Sequence, residues 1–380
     1  MNKILLIFFV PLFVFSCKTE VKKEETSLNS ENKNDIPLKS LFPFYVGTYT
    51  RGESEGIYKY NLLSNGQIES IGLLSRTENP SFLAISPDDE YLLAVNETSG
   101  GSIESYAIEG DSLKLISERN SGGGSPCYIS VNDQGFVLVA NYNGGNVGLF
   151  HLNSDGYLSS PLDFQQHEGQ GATPRQEKPH AHFSEFFPNS QNVISVDLGT
   201  NEIWFSILDI KAQKFEALNT HTLSMDPGAG PRHLVIHPTA NYLYVLNELN
   251  YSVTVVKKVS DSYEVGKSYT AIPNNSCDNC SGAEIQISSD GNFLYASIRG
   301  HNSIAIFRVE KGGEELTLIS NTNTRGETPR HFALSPDEKF LVVANQNSNN
   351  LVSFSRDEET GKLVFLASVD ALSPVCILFE

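Results

Sequence analysis

Positive charge is scarce in this sequence. Its 380 residues include 27 lysines and arginines against 45 aspartates and glutamates, which gives a formal net charge of −18 at pH 7. Proteins that bind nucleic acid contact its phosphates with clustered lysine and arginine, whereas the acidic residues here are spread over many short patches. The composition therefore argues against a nucleic-acid partner, and beyond that it reports mainly solubility.

Several catalytic motifs are also absent. The sequence has no Gly-x-Ser-x-Gly elbow, which argues against a serine hydrolase of that type. It contains neither a His-Glu-x-x-His zinc motif nor a phosphate-binding glycine loop, and the run Gly122-Gly123-Gly124 is better interpreted as a mobile loop. Convincing helix-period stretches are missing as well, so the pattern favours strands over helices.

Cysteine is used sparingly, at five positions: Cys17, Cys127, Cys277, Cys280 and Cys376. Zinc takes four ligands, and the Cys277-x-x-Cys280 pair has no second pair to complete such a site. In an oxidising compartment a local disulfide is the better interpretation of this pair. Cys127 and Cys376 fall in strand patterns and are expected to be buried thiols.

Histidine offers one further metal-like pattern. His180-x-His182 would place two imidazoles on one side of a strand, as some metal sites require. No firm third ligand is evident in the sequence. We therefore predict neither a metal nor any other cofactor.

The N-terminus carries an export signal. Residues 4–15 form an apolar run interrupted only by Pro11, which is too short to cross a bilayer of about 30 Å as a helix and matches the apolar region of a signal peptide. The following Cys17 completes a stretch that resembles the lipobox of bacterial lipoproteins, so we predict a signal peptide over 1–17 with lipidation of Cys17. The alternative is a plain secretory signal with an incidental cysteine.

The next residues are polar. Residues 18–41 are rich in lysine, glutamate, asparagine and serine and cannot bury enough apolar surface to offset the entropy of ordering. We predict a disordered tether there and a folded domain over 42–380. The protein would then lie in the cell envelope, in contact with a bacterial membrane only through its N-terminal lipid.

An internal repeat predicts the fold. Each copy has a short apolar strand, a Ser-Pro-Asp-x type of turn, a second strand rich in Leu, Val, Tyr and Ala, and a third alternating strand. The copies recur about every 50 residues, a spacing typical of propeller blades. Six copies align, and they begin at Asn79, Ser125, His180, Gly230, Gly282 and Thr328.

The two ends of the chain supply one more blade. Residues 44–49 and 56–60 look like second and third strands without a first, and residues 373–379 look like a first strand without a successor. Joined, they close the ring and leave no open edge. We therefore predict an all-β, seven-bladed β-propeller with four-stranded antiparallel blades. The only tryptophan is Trp204, so the Trp-Asp signature of the commonest propeller repeat is missing.

Propeller topology gathers particular polar residues at one mouth of the central channel, because first strands begin and second strands end on the same face. Charged groups in a concave site are costly unless they pair or meet a ligand, and two arginines facing one glutamate suit an anionic ligand. The alternative is that these residues only join neighbouring blades. The main candidates are Glu248, Arg232, Arg299 and His182, and the candidates for substrate binding are His180, His233, Arg330, His331, Glu97, Asn247 and Gln346.

These stretches resemble the seven-bladed lactonase family, which includes bacterial 6-phosphogluconolactonases of propeller type and fungal carboxymuconate-lactonizing enzymes. The resemblance extends from Phe44 to Phe379 and is carried by FYVGTYT, NPSFLAISPDDEYLLAVNE, HAHF, GAGPRHLVIHP, YLYVLNE, FLYASIRGHNSIAIF and TPRHFALSPD. The resemblance implies an active site without a metal ion. The residues of that site in this sequence would be His182 (with His180 as the alternative), Arg232, Glu248 and Arg299.

The resemblance also implies a mechanism. The two arginines would hold a carboxylate or phosphate of the substrate and polarise the lactone carbonyl. Glu248 would take a proton from the attacking water, and His182, with a pKa near its ordinary value, would protonate the departing ring oxygen.

We thus expect a monomeric, metal-independent hydrolase that opens a sugar lactone and takes a small anionic lactone or sugar acid. The alternatives are a lactone-forming cycloisomerase and a non-catalytic surface propeller that binds carbohydrate or protein. The export signal keeps the substrate open, because a sugar-phosphate lactone is a cytosolic compound; an unphosphorylated sugar lactone or another anionic ester is the alternative.

Overall fold

The structure is a computed structural model that describes residues 40–216, 221–273 and 277–380, together with Met1 and Pro11. The chain divides into two units, Met1–Pro37 and Leu38–Glu380, and the fold described below is that of the second. The predicted signal peptide, the lipidation site Cys17 and the predicted tether up to residue 39 lie outside the described residues. The first strand begins at Ser40, slightly before the predicted domain boundary at 42.

The described residues form strands almost throughout. In chain order the strands are β1 (Ser40–Thr48), β2 (Gly56–Leu63), β3 (Ile68–Arg76), β4 (Pro80–Ile85), β5 (Tyr91–Asn96), β6 (Ser102–Ile108), β7 (Leu113–Asn120), β8 (Pro126–Val131), β9 (Phe136–Asn141), β10 (Asn146–His151), β11 (Asp163–Gln166), β12 (Ala181–Phe186), β13 (Asn192–Asp197), β14 (Glu202–Asp209), β15 (Lys214–Phe215), β16 (His221–Ser224), β17 (Pro231–Ile236), β18 (Tyr242–Asn247), β19 (Ser252–Val259), β20 (Ser262–Thr270), β21 (Ser281–Ile287), β22 (Phe293–Arg299), β23 (Ser303–Glu310), β24 (Glu315–Asn323), β25 (Pro329–Leu334), β26 (Phe340–Asn345), β27 (Asn350–Arg356), β28 (Leu363–Asp370) and β29 (Pro374–Phe379). Short 3₁₀ helices lie at Pro174–Gln176 and Lys311–Gly313. Within the described ranges no helix is long and apolar enough to cross a membrane.

The strands pair into seven antiparallel sheets, which are the blades of the predicted propeller. Blades 1 to 6 are β4–β7, β8–β11, β12–β16, β17–β20, β21–β24 and β25–β28, each in sequence order from first to last strand. Blade 7 has the order β29-β1-β2-β3, so the C-terminal strand pairs with β1 and both ends of the chain share one blade. The predicted ring closure is confirmed. Blade 3 departs slightly from the pattern, because its fourth strand is divided into β15 and β16, which both pair with β14.

The predicted Ser-Pro-Asp turns join the first two strands of several blades. In blade 1 the hydroxyl of Ser86 donates to Asp88 Oδ1 at 2.5 Å, and the amide of Asp89 donates to the Ser86 carbonyl at 2.9 Å. Asp89 has a φ of 59°, a left-handed conformation that aspartate tolerates better than most residues. The same Ser–Asp contact recurs at the turns of blades 5 and 6, so local sequence fixes this hairpin.

The core lies between neighbouring blades. Second strands are buried on both faces, as in β9, where all six residues are buried. Fully burying a large apolar side chain contributes roughly 1.5–3 kcal/mol. Buried tyrosines also join the blades through their hydroxyls: Tyr244 donates to the Gly313 carbonyl and Tyr295 to the Gly361 carbonyl, each at 2.9 Å and each in the next blade.

Candidate active site

A β-bulge recurs at the start of the first strand in every blade. In blade 4, Pro231 pairs with Asn247 and His233 with Leu246, so Arg232 has no partner of its own across the ladder. The ladders of the other six blades shift at the equivalent place. A bulge turns one side chain away from the regular alternation of a strand. It therefore aims one residue of each blade differently from its neighbours.

Two rings of side chains follow from this register. The bulge ring is formed by the bulged residues Ser81, Cys127, His182, Arg232, Ala283, Arg330 and Val375. The rim ring is formed by the equivalent residue at the end of each second strand. This residue directly follows the paired end in six blades, and in blade 5 it is the last paired residue, Arg299. The members are Tyr49, Glu97, Tyr142, Leu198, Glu248, Arg299 and Gln346. His182, Arg232 and Arg330 therefore occupy equivalent positions in blades 3, 4 and 6.

Glu248 is the centre of the densest charge cluster. Its Oε2 accepts from Arg232 Nη1 at 2.5 Å and lies 3.1 Å from Arg299 Nη2, and its Oε1 accepts from Arg175 Nη2 at 3.1 Å. The side chains of Glu248 and Arg232 are only 6% and 5% exposed. The buried arginines are also held by backbone: Arg232 donates to the carbonyl of Ala283 and Arg299 to that of Gly282. The three predicted residues are therefore brought together in a fixed arrangement.

The charge state of Glu248 follows from this arrangement. Burial by itself would raise the pKa of the Glu248 carboxyl, but attraction to Arg299, Arg232 and Arg175 outweighs burial and holds the pKa well below its ordinary range. Three guanidinium groups around one carboxylate leave a surplus of positive charge.

A second cluster on the two rings is formed by Tyr49 of blade 7, Glu97 of blade 1 and Arg330 of blade 6. Tyr49 donates its hydroxyl to Glu97 Oε2 at 2.7 Å, and Arg330 Nη2 lies 3.7 Å from the same oxygen. The Arg330 guanidinium also lies over the Tyr49 ring, 4.9 Å from its centroid, a cation–π contact. The predicted residues Glu97 and Arg330 thus belong to the mouth, and Tyr49 joins them.

His182 is buried in the bulge ring. Its imidazole ring centroid lies 5.6 Å from that of Tyr142 and 5.1 Å from that of His233, and its Nδ1 atom has no hydrogen-bond partner in the part of the chain that the structure describes. Burial, followed by repulsion from Arg232, holds the pKa of His182 well below its ordinary value. His182 is therefore neutral at pH 7. This corrects the expectation of a proton donor with an ordinary pKa, because the sequence did not show how completely the imidazole is desolvated.

His233 and His331 lie one residue beyond the bulge ring. Both contact Glu284 Oε2, through His233 Nδ1 at 3.0 Å and His331 Nε2 at 3.3 Å. Burial lowers the pKa of His233 and lowers that of His331 to about 4, although Glu284 opposes both shifts. Their charged partner is therefore Glu284, and the expected contact of His233 and His331 with substrate stays a prediction. We refer to His182, His233 and His331 as the buried histidines.

His180 has a different environment. Its ring stacks on that of Tyr142 with centroids 4.3 Å apart, and its Nδ1 and Nε2 atoms lie 3.1 Å from the Tyr142 carbonyl and 3.3 Å from Glu177 Oε1. Both ring nitrogens therefore have partners. His182, whose Nδ1 has none, is the better candidate of the two.

The amide side chain of Asn247 points into its own blade. Its Nδ2 atom donates to the hydroxyls of Ser252 and Thr254, each at 2.8 Å. Asn96 and Asn141, which end the second strands of blades 1 and 2, likewise bond within their own sheets and to the loops beside them. This recurring asparagine therefore supports the strand end, and substrate binding by Asn247 stays a prediction. Gln346 occupies the rim ring, partly exposed.

Three residues at the mouth were not anticipated. Tyr49 and Tyr142 belong to the rim ring, and their positions could have been found by extending the count used for Glu97 and Glu248. Arg175 lies outside the repeat, in the connection between β11 and β12, and donates to Tyr142 Oη at 3.0 Å. Its only local signal is the Thr173-x-x-Gln176 capping box around it, which predicts a helical turn but not the direction of Arg175.

The four described cysteines agree with the sequence interpretation. Cys277 and Cys280 form a disulfide, and Cys127 and Cys376 are free and buried. Burial raises the pKa of the Cys127 thiol, so that it is not a reactive thiolate. In the described ranges no group of three or more histidine, cysteine, aspartate or glutamate side chains is placed to hold a metal ion.

Together these features define a closed seven-bladed propeller whose channel mouth carries arginines in excess over carboxylates. The chain belongs to the lactonase family of seven-bladed β-propellers: the family model described as "Lactonase, 7-bladed beta-propeller" matches residues 43–379. The predicted family is confirmed, and with it the prediction of an enzyme of lactonase type.

Individual relatives agree with this assignment. A 6-phosphogluconolactonase of Bacillus subtilis is 38% identical over 343 residues, covering 88% of this chain and 97% of that protein. A 6-phosphogluconolactonase of Formosa agariphila is 34% identical over 331 residues, covering 84% and 94%. Among solved structures, a periplasmic gluconolactonase of Pseudomonas aeruginosa is similar with a TM-score of 0.85 at 29% identity, covering 90% of this chain and 99% of that one.

Proposed function

We propose that this protein hydrolyses a sugar lactone at the mouth that Glu248 and its arginines form, without a metal ion. The observation that carries the proposal is the buried contact of Arg232 and Arg299 with one carboxylate. Preorganised positive groups in a site shielded from water stabilise the negative charge that develops on a carbonyl oxygen during acyl transfer. The names of the Bacillus subtilis and Formosa agariphila relatives support a sugar-acid lactone as the substrate class.

The proposed reaction adds water to the lactone carbonyl. The water oxygen bonds to the carbonyl carbon, and the guanidinium groups of Arg232 and Arg299 stabilise the oxyanion that forms. Glu248, which these arginines hold in place, takes the proton of the attacking water. The ring C–O bond then breaks and the ring oxygen receives that proton, so the product is an open-chain hydroxy acid.

The buried His182 has a role that its neutral state allows. A neutral imidazole can orient the water or pass the proton from Glu248 to the ring oxygen, and the buried Nδ1 of His182 has no hydrogen-bond partner among the described residues. In the free site the arginines hold the pKa of Glu248 too low for efficient proton uptake. A bound anion offsets the positive charge of the arginines and so raises the pKa values of Glu248 and His182. An anionic substrate would therefore assist its own hydrolysis.

We also propose that the protein works in the cell envelope through a lipid on Cys17. The lipobox-like sequence supports this, and the Pseudomonas aeruginosa relative is named as periplasmic. A Cys17→Ala change should move the protein from the membrane fraction to the soluble fraction of the producing cells. Unchanged membrane association of the variant would contradict lipidation at this residue.

The test of the activity is turnover of a small lactone panel by the purified protein. 6-Phosphoglucono-δ-lactone and glucono-δ-lactone would be followed by acid release, with and without a chelator. We expect turnover that the chelator leaves unchanged and that Glu248→Gln and Arg232→Lys lower at least about 100-fold. Glu69→Gln, which changes an exposed carboxylate on the outer strand β3, serves as the matched control.

The other outcomes have definite meanings. Loss of activity with chelator would overturn the metal-free mechanism, and wild-type rates in the Glu248 variant would overturn the site. Binding of sugar acids without turnover would favour a binding propeller. Lactone formation from a sugar acid, without hydrolysis, would favour a cycloisomerase.

A further inference from the structure

One segment outside the repeat reaches the mouth. Residues 167–180, here called the strap, connect β11 of blade 2 to β12 of blade 3. From the strap, Arg175 contacts Tyr142 of blade 2 and Glu248 of blade 4. The strap therefore adds to the site a side chain that no blade position supplies.

Both ends of the strap are fixed to one carboxylate. His167 Nδ1 lies 2.8 Å from Asp197 Oδ2, and the amide of His180 donates to Asp197 Oδ1 at 2.8 Å. The side chains of His167 and Asp197 are fully buried. The His167 ring also stacks on Trp204, with centroids 4.1 Å apart. A buried pair of this kind is strongly destabilised by the loss of one partner, so the ends of the strap are firmly held.

The middle of the strap is fixed as well. Gln176 is completely buried, and its Nε2 atom donates to the Leu198 carbonyl at 2.9 Å and to Asn201 Oδ1 at 3.0 Å. Its Oε1 accepts from the amide of Thr173 at 3.2 Å. These bonds hold the residue next to Arg175, so the guanidinium is presented by a rigid backbone, which reduces the entropy that a ligand must offset.

Arg175 differs from the other arginines around Glu248 in its exposure. Its side chain is 58% exposed, against 5% for Arg232 and 16% for Arg299. Both of its hydrogen bonds to described residues use Nη2, and within those residues Nη1 and Nε make no hydrogen bond. The buried arginines instead donate to backbone carbonyls as well as to Glu248. A carboxylate or phosphate binds a guanidinium along an edge that pairs Nη2 with Nη1 or with Nε, so an anion bound here would share Nη2 with Glu248 or displace it.

We propose that Arg175 binds an anionic substituent of the substrate, remote from the lactone carbonyl, and so makes the enzyme select charged over neutral lactones. The inference rests on the proposed function, because it takes the carbonyl to lie at Arg232 and Arg299. The ligand chemistry is an organic phosphate or a second carboxylate. Such an anion also competes with Glu248 Oε1 for Arg175, which frees that oxygen to hold the attacking water.

The kinetic test compares Arg175→Gln with the wild type on three lactones: 6-phosphoglucono-δ-lactone, glucaro-1,4-lactone with its free carboxylate, and the neutral glucono-δ-lactone. We expect kcat/KM for the preferred anionic lactone to fall about 10- to 100-fold, mainly through KM, since one charge-assisted contact is lost. For the neutral lactone, which offers no anion to Arg175, we expect KM to change much less than for the anionic lactones, while kcat reports the loss of the Arg175 contact with Glu248. The anionic lactone whose kcat/KM falls more in Arg175→Gln identifies the substituent as phosphate or carboxylate.

Lys178→Ala is the matched control, because Lys178 is an exposed cation on the same strap that donates to the Asn143 carbonyl. It should leave the ratio between charged and neutral lactones unchanged. Equal losses on all three lactones in Arg175→Gln, or the same ratio change in Lys178→Ala, would overturn the proposal. The emission of Trp204, the only tryptophan, should match the wild type in both variants and so show that the strap is intact.

A binding measurement separates this inference from the proposed function. Calorimetry with 6-phosphogluconate, glucarate and gluconate needs no turnover. We expect the wild type to bind 6-phosphogluconate or glucarate, which carry a second anionic group, more tightly than gluconate. Arg175→Gln should lose about 10-fold or more of that preference. If the wild type hydrolyses lactones but the preference is unaffected by the substitution, the role of Arg175 is refuted and the activity stands. If no lactone is hydrolysed while the preference depends on Arg175, the activity fails and the anion site stands.

Discussion

Replacing Glu248 by glutamine tests the charge arrangement of the mouth directly. The substitution keeps the size of the side chain and removes its negative charge. Arg232 and Arg299 then remain beside a neutral amide, in a place where their side chains are 5% and 16% exposed. Removing one partner of a buried ion pair is destabilising because the remaining charge has lost both water and its counterion.

The expected effect on stability can be worked out from these contacts. Breaking a buried pair costs about 3–5 kcal/mol. Unfolding entropy near 60 °C is about 2.1 cal/mol/K per residue, which gives roughly 0.7 kcal/mol/K for a domain spanning residues 40–380. The melting temperature of Glu248→Gln should therefore fall by about 4–7 °C.

The same variant should acquire a stronger anion dependence. With Glu248 neutral, the arginines lack a counterion, and inorganic phosphate can take its place. A ligand that binds only the folded state at 100 times its Kd stabilises by about 2.7 kcal/mol. Thermal unfolding in millimolar phosphate should thus raise the melting temperature of Glu248→Gln by several degrees more than that of the wild type or of the exposed control Glu69→Gln.

Turnover of the folded variant completes the assay. Measured at a temperature where the variant remains folded, kcat should fall about 10²- to 10⁴-fold, the usual contribution of a positioned proton acceptor. A melting temperature within about 1 °C of the wild type, without extra stabilisation by phosphate, would refute the assumption that Glu248 neutralises buried arginines. At roughly 0.7 kcal/mol/K, such a difference corresponds to less than about 1 kcal/mol.

Three further predictions concern the scaffold. Gly230→Ala, at a φ of 65° and with its Cβ only 2.4 Å from Leu249, should lower stability and activity more than Gly312→Ala, at a φ of 66° in open space; equal melting temperatures would contradict a steric role. Asp197→Asn should loosen both ends of the strap, raise KM more than it lowers kcat, and speed proteolysis between residues 168 and 179; an unchanged digestion pattern would argue against the anchor. Unfolding in denaturant should show that the free energy of unfolding decreases as the pH is lowered from 7.5 to 5. Folding lowers the pKa values of the three buried histidines, so below about pH 6.5 the unfolded chain takes up protons that the folded protein does not. Burial raises the pKa of Glu185 to about 7, so this residue opposes the trend and reduces the slope; stability that stays constant or increases as the pH is lowered would contradict neutral buried histidines.

The sequence by itself determined the number of blades and the way the ring closes. Both follow from local signals: short β-branched and aromatic runs, turns such as the one at Ser86, and two unmatched halves of a blade at the chain ends. The Pro-Arg-His stretch at 231–233 also indicated which residue of blade 4 reaches the mouth, because a repeat transfers the register of one blade to the next. Every blade then confirmed that register through its bulge.

Only the tertiary structure decided how the site is charged and what completes it. Arg175 meets Glu248 across residues far apart in sequence, and no repeat position or periodicity encodes the path of the strap. The neutral state of His182 arises from desolvation by several blades at once, and the inward turn of Asn247 from hydroxyls that its own sheet supplies. Local sequence specifies strands and turns because their hydrogen bonds are made between near neighbours; burial and charge at the mouth are sums over distant residues, and the folded ring alone brings those residues together.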